Sequence, residues 1–171
     1  MTYRFRTIDS ESGVLNKATD IHKRLRSPEE VQMIIFTVSG RAVPKQRPRL
    51  GGRQAYTPKP TRDYEAKVKK TFYDAWRGSV PVYPKGSPVR VTIEVLQEIP
   101  KSWSKAKQLK AERGEIVPTA KTGDLDNIAK SILDALNMLA YEDDCQVTTL
   151  MISKVYGEVP RAVIRIEEDK Q

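Results

Sequence analysis

The sequence predicts a single α+β (mixed α/β) domain, a small mixed β-sheet with flanking helices in the order β-α-β-α-α-β-β. Three observations predict it. Two short stretches, Ile34–Ser39 and Val89–Leu96, alternate about a two-residue period, that of half-buried strands, and two later ones, Val147–Tyr156 and Ala162–Ile166, also read as strands. The segments between them repeat apolar residues at three- and four-residue spacing, the period of amphipathic helices. Pro, Gly and Ser mark the boundaries, with no internal repeat or low-complexity tract.

Residues 1–32 are weakly patterned, interrupted by Ser10, Ser12 and Gly13 and closed by Ser27-Pro28-Glu29-Glu30. They read as a loosely attached arm, and residues 33–171 as the folded domain, with Met33 a candidate natural start. Ile34, Phe36 and Val38 alternate with Ile35, Thr37 and Ser39 in a first strand. Arg41 to Pro60 is a long connection rich in Pro, Gly and basic residues. Thr61 can cap the next helix, with Asp63 and Glu65 in its first turn. Tyr64, Val68, Phe72 and Trp76 form the buried stripe of that helix, and Gly78 ends it. Val89, Val91, Ile93 and Val95 give the second strand, stopped by Pro100. Ser102 can cap a short basic helix running to about Glu112, closed by Gly114. The next helix starts near Asp124–Asp126, with Ile128, Ile132, Leu136 and Leu139 as its stripe. Strands follow at Val147–Tyr156 and Ala162–Ile166, separated by a turn at Gly157–Pro160.

A chain of 171 residues suits one domain with a real core. Hydrophobic content of 39% with 30% charged residues excludes the disordered class. No apolar run approaches the roughly 18 residues of a membrane span, and no signal-peptide pattern opens the chain. Cys145 is the sole cysteine, so an internal disulfide framework is excluded. The expected location is cytoplasmic, with no membrane partner. His22 is the sole histidine and lies in the arm, which argues against Cys-His catalysis and His-rich zinc sites. Cys145 and Trp103 both read as packing residues rather than as nucleophile and DNA wedge.

The net charge is +8, unevenly spread. Residues 41–77 hold eleven Lys/Arg against three Asp/Glu, and residues 101–114 hold five against one. Residues 115–171 hold six basic and eleven acidic side chains. A basic front attracts polyphosphate by releasing its counterions. An acidic back in such a protein needs another reason, and holding a metal ion is one.

The acidic residues are patterned. Asp124 and Asp126 sit two apart at a helix start, and Lys130 follows Asp126 by one helical turn. Glu142-Asp143-Asp144 comes before a strand. Carboxylate oxygens are the hard ligands that Mg²⁺ and Mn²⁺ prefer, and a nearby lysine can neutralise charge on a phosphate. Each piece has a plainer reading. Either aspartate alone is more often a helix cap, Asp126–Lys130 alone is a common surface ion pair, and the acidic run alone is a solvated turn. The chemical reading rests on their combination. Lys45-Gln46-Arg47-Pro48-Arg49 is held extended by its prolines and can track a sugar-phosphate backbone. Arg53, Tyr56, Lys59 and Arg62 extend that patch, Tyr56 as a base-stacking ring. The alternative is a solvated basic loop.

Asp124-Leu125-Asp126-Asn127 with Lys130, then Asp134-Ala135-Leu136, then Tyr141-Glu142-Asp143-Asp144 with Gln146-Val147, resembles the core signature of RusA-type Holliday junction resolvases, many of them encoded by prophages. Pro44 to Arg49 and Pro100 to Lys105 extend the resemblance, which runs from about Ile34 to Ile166. It implies metal-binding aspartates at Asp124, Asp126 and Asp144, a catalytic lysine at Lys130, and Mg²⁺ as cofactor with Mn²⁺ able to substitute. Asp144 is favoured over Asp143 by its place before the strand. Many relatives carry Lys-Pro before the first aspartate where this chain has Thr122-Gly123, a change expected to alter backbone geometry without removing a ligand. The implied activity is hydrolysis of four-way DNA junctions by paired nicks leaving a 5′-phosphate and a 3′-hydroxyl, with no small-molecule substrate. Two opposed cuts on a near-symmetric substrate call for a C2 homodimer.

Two other readings compete. An aspartate-nucleophile phosphatase also uses Asp-x-Asp, a lysine and a later Asp-Asp pair. Here, however, the motif follows polar Pro118 to Gly123 rather than a buried strand, and its spacing is too short. A non-catalytic nucleic-acid-binding module with a structural acidic cluster predicts salt-sensitive binding without cleavage.

Overall fold

The computed structural model describes residues 33–52, 54–119 and 123–170, so the arm at 1–32 and Arg53 lie outside the described residues. In chain order the elements are β1 (Met33–Ser39), β2 (Arg49–Gly51), β3 (Gln54–Tyr56), α1 (Lys59–Ala75), β4 (Val89–Glu98), α2 (Lys105–Glu112), α3 (Leu125–Leu136), a 3-10 turn (Asp144–Gln146), β5 (Val147–Gly157) and β6 (Arg161–Glu168). The expected α+β order is present, with a small hairpin added.

The main sheet runs β1-β6-β4-β5. β6 pairs antiparallel with both β1 and β4, while β4 and β5 are parallel, which makes the sheet mixed. A parallel pair needs a long crossover, and α2 and α3 supply it. The alternation of β1 is realised residue by residue: Ile34, Phe36 and Val38 are buried and their neighbours exposed. Val89, Val91, Ile93 and Val95 do the same in β4. These side chains meet Val68 and Phe72 of α1 and Ile128, Ile132 and Leu136 of α3 in one core. Each fully buried Leu, Ile or Phe there contributes roughly 1.5–3 kcal/mol. Helices α1 and α3 lie against each other, and α1 also covers β1. The stripe that buries α3 therefore leaves its opposite face, with Asp126 and Lys130, exposed.

Several boundaries differ from expectation. Helix α1 starts at Lys59, with Pro60 in its first turn, where a fixed φ and a missing N–H do no harm. Thr61 is thus inside the helix and buried, and its hydroxyl accepts from the Gln46 N–H at 3.3 Å instead of capping. The helix ends at Ala75, before Gly78. Trp76 turns extended, donates from its indole to the Ser79 carbonyl at 2.9 Å, and lays its ring on Gly78. A Cβ at Gly78 would come within 2.6 Å of that ring. Helix α2 is preceded by Ser104 rather than Ser102. Cys145, expected to pack, is exposed. Among the described residues, no helix is long and apolar enough to cross a membrane.

Candidate active site

The site grows from the start of α3. Gly123 stands at φ +83°, and a Cβ there would lie 3.4 Å from the Pro44 ring and 3.5 Å from Ile128. A proline cannot take that φ, so the backbone freedom of glycine sets the path by which this chain enters α3. The Lys154 ammonium of β5 fixes the entry by donating to the Gly123 carbonyl at 3.0 Å.

Asp124 then occupies the N-cap position, but its side chain makes no capping hydrogen bond. Asp126 lies in the first turn. Asp126 and Lys130, one turn apart, form no ion pair with each other or with any other described residue. The two plainer readings of these residues, helix cap and surface ion pair, are therefore not what their side chains do. All three are exposed.

The basic stretch that sequence places some eighty residues earlier runs alongside. The Lys45 N–H donates to the Asn127 carbonyl at 2.8 Å, and Gln46 is held by Thr61, so residues 44–46 form a strap tied to both α3 and α1. The Lys45 ammonium turns inward, 2.5 Å from Glu65 Oε1 and 2.8 Å from Asp134 Oδ2. Burial lowers the pKa of Lys45, but hydrogen bonds and charges from Asp134 and Glu65 outweigh it and hold the pKa above the ordinary value. All three side chains are only 20–26% exposed. Losing the cation leaves two half-buried carboxylates unpaired, so Lys45→Met is expected to cost about 2 kcal/mol in urea unfolding. Lys59→Met, which breaks the exposed 2.8 Å pair with Asp63, is expected to cost under about 0.5 kcal/mol. Equal costs would show Lys45 to be an ordinary surface cation.

The acidic turn approaches the other end of α3. Asp143 caps the 3-10 turn: its Oδ1 accepts from the Cys145 N–H at 2.9 Å, and Gln146 returns a bond to the backbone at Glu142 and Asp143. Hydrogen bonds from the Cys145 thiol and backbone hold Asp143 below the usual carboxylate range. Asp144 has no such role. Partial burial, then the charges of Asp143 and Asp134, push its pKa up. The same Asp143 carboxylate raises the Cys145 thiol, which makes it a poor nucleophile. A cavity of 390 Å³ lies beside this turn, lined by Lys85, Glu142, Asp143 and Gln146 among others, but it does not reach the aspartates of α3.

Residues 39–167 match the family described as Endodeoxyribonuclease RusA. The chain belongs to that family. A protein of Bacillus subtilis (strain 168) named "Uncharacterized protein YqaN" is 47% identical over 83 residues, a stretch covering 47% of this chain and 58% of that protein. The matched stretch is thus little more than half of that relative.

In this RusA-family chain the remaining DNA-contact candidates among the described residues, Arg47, Arg49, Tyr56, Lys59 and Arg62, are all exposed along the strap, the hairpin and the first turn of α1. Lys45 is half-buried and committed to carboxylates. The donor chemistry suits a hard divalent cation: Asp124 and Asp126 carry uncommitted carboxylates, and Asp144 sits in a field of negative charge that a cation relieves. Among the described residues, no three Asp, Glu, His or Cys side chains converge closely enough to hold an ion. The charged neighbours of Asp144 are Asp143 and Asp134, and Asp134 stands eight residues, about 12 Å of helix, beyond Asp126. Asp134 was not among the candidate site residues. Its spacing from Asp126 and Lys130 on one helix face is the signal that points to it.

Proposed function

We propose that the chain is a metal-dependent endonuclease that resolves four-way DNA junctions by paired nicks, acting as a C2 homodimer in DNA recombination and repair. The observation that carries this reading is the uncommitted state of Asp124, Asp126 and Lys130 on the exposed face of α3, beside a basic strap tied to the same helix. Asp124, Asp126 and Asp144 would hold Mg²⁺ or Mn²⁺, which when bound polarises the phosphodiester and lowers the pKa of an attacking water. Lys130, exposed and without a carboxylate partner among the described residues, is placed to neutralise charge developing on the phosphate. Arg47, Arg49, Lys59 and Arg62 grip the backbone of an arm, and Tyr56 offers a ring for an unpaired base. Lys45 holds the strap in register instead. Junction selectivity then comes from shape and backbone contacts rather than base reading.

The test is a labelled synthetic four-way junction beside a matched linear duplex, with Mg²⁺ and with EDTA. The expected result is paired symmetric nicks in the junction only, lost with EDTA while binding persists. Tight junction binding with no cutting in Mg²⁺ or Mn²⁺ would instead make the chain a nucleic-acid-binding module.

A further inference from the structure

Helix α2 is more densely basic than α1, which intersperses Asp63, Glu65 and Asp74 among its cations. The lysines of α1 at 59 and 70 are neutralised one turn on by Asp63 and Asp74. Among the described residues, none of Lys105, Lys107, Lys110 or Arg113 has a carboxylate partner. The helix is not held in place by a broad apolar face either, since Ala111 is its sole buried residue. It is anchored through the preceding turn. The Trp103 ring meets Tyr156 of β5 edge-on at 5.2 Å, Lys107 sits 3.9 Å over the Trp103 ring, and Gln108 donates to the Trp103 carbonyl at 2.8 Å. Like charges one turn apart on an exposed helix repel modestly, and a polyanion lying against them relieves that repulsion and releases its own counterions.

The position of α2 says what that is. Ile152, Lys154 and Tyr156 alternate onto one face of β5. Ile152 packs on the core, Lys154 holds the Gly123 carbonyl at the entry to α3, and Tyr156 carries Trp103. The anchor of α2 is therefore about 7 Å along the strand from the residue that fixes the catalytic helix. Eight residues of helix span about 12 Å, which faces three or four phosphates of one strand at roughly 3.4 Å each.

We propose that α2 is a second DNA-binding surface, in which Lys105, Lys107 and Lys110 bind the phosphate backbone of the duplex arm next to the cleavage site. The inference rests on the endonuclease reading above and adds a contact surface to it. The test compares the triple variant Lys105→Gln/Lys107→Gln/Lys110→Gln with a charge-matched triple on α1 and just beyond its C-terminus, Lys69→Gln/Lys70→Gln/Arg77→Gln. Both are titrated with uncleaved four-way junction, in EDTA, across a salt series. The expected result is at least a tenfold loss of affinity for the α2 variant at 100 mM salt, and a slope of log K against log salt shallower by about two to three, because each lost phosphate contact removes roughly 0.9. The α1 variant should keep the wild-type slope. Unchanged binding by the α2 variant, or equal losses in both variants, would overturn the inference while leaving the cleavage reading intact. Wild-type protein that binds the junction but does not cut it would defeat the cleavage reading and leave α2 to be judged on the slopes alone.

Discussion

Asp126→Asn is expected to abolish junction cleavage while leaving the fold and DNA binding in place. The exchange keeps the shape of the side chain and removes its charge. The Asp126 side chain is exposed and makes no hydrogen bond or ion pair with another described residue, so the fold loses at most the interaction of an anion with a helix N-terminus, about 0.3–1 kcal/mol. Cleavage loses much more. A ligand that helps place a divalent cation against the phosphodiester contributes several kcal/mol to the transition state, and about 4 kcal/mol is a thousandfold in rate. Single-turnover cleavage in Mg²⁺ should fall by about a thousandfold or more, with junction affinity in EDTA unchanged or slightly raised, because one negative charge near the phosphate has gone. Substitutions in the acidic turn separate its two aspartates in the same assay. Asp144→Asn should lose cleavage as Asp126→Asn does. Asp143→Asn should not, since an amide oxygen can still accept from the Cys145 N–H. A Asp126→Asn protein that cuts at even a tenth of the wild-type rate would remove that carboxylate from the chemistry.

What the sequence made legible, and what it left hidden, follows from which residues have a local period. β1 and β4 are readable because burial alternates strictly along them, and α3 because Ile128, Ile132 and Leu136 fall on one face. The β2–β3 hairpin was not readable: all its described residues are exposed, so no apolar alternation marks it. The α1 boundary was misplaced because Thr61 looks like a cap and instead serves the strap. Within the site, Asp124, Asp126 and Lys130 are legible since they share one helix, and helical spacing fixes their relation. The tie of Lys45 to Glu65 and Asp134 spans 20 and 89 residues and carries no periodic sign. A basic residue in a Pro-rich run looks the same in sequence whether it faces phosphate or a buried carboxylate. The relation of Asp144 to α3 is likewise set by the chain's return to β5, which no local pattern encodes.

Phe72→Ala is expected to be the most destabilising single truncation in α1, and its effect should reach the site through the strap. Phe72 is fully buried, with its ring edge-on to Phe36 of β1 at 5.7 Å. It joins the helix to the sheet at the centre of the contact between them. Truncation removes the transfer energy of the ring and leaves a cavity that a close-packed core refills poorly, together about 3–5 kcal/mol. Against a total stability of roughly 5–15 kcal/mol for a domain, this lowers the melting temperature by about 6–20 °C at the 2–4 °C per kcal/mol usual for this size. In urea the midpoint should fall with the slope unchanged. The neighbouring Tyr73→Ala, at a ring that is 46% exposed, should cost far less. The consequence for function follows from what α1 carries. Thr61 and Glu65 are two of the contacts that hold the strap, whereas the entry to α3 keeps its own attachment to β5 through Lys154 and Gly123. Cleavage by Phe72→Ala should therefore persist well below its melting temperature, with weaker junction binding as the strap loosens. A loss of less than about 1 kcal/mol would mean that α1 is not packed on β1 through this ring.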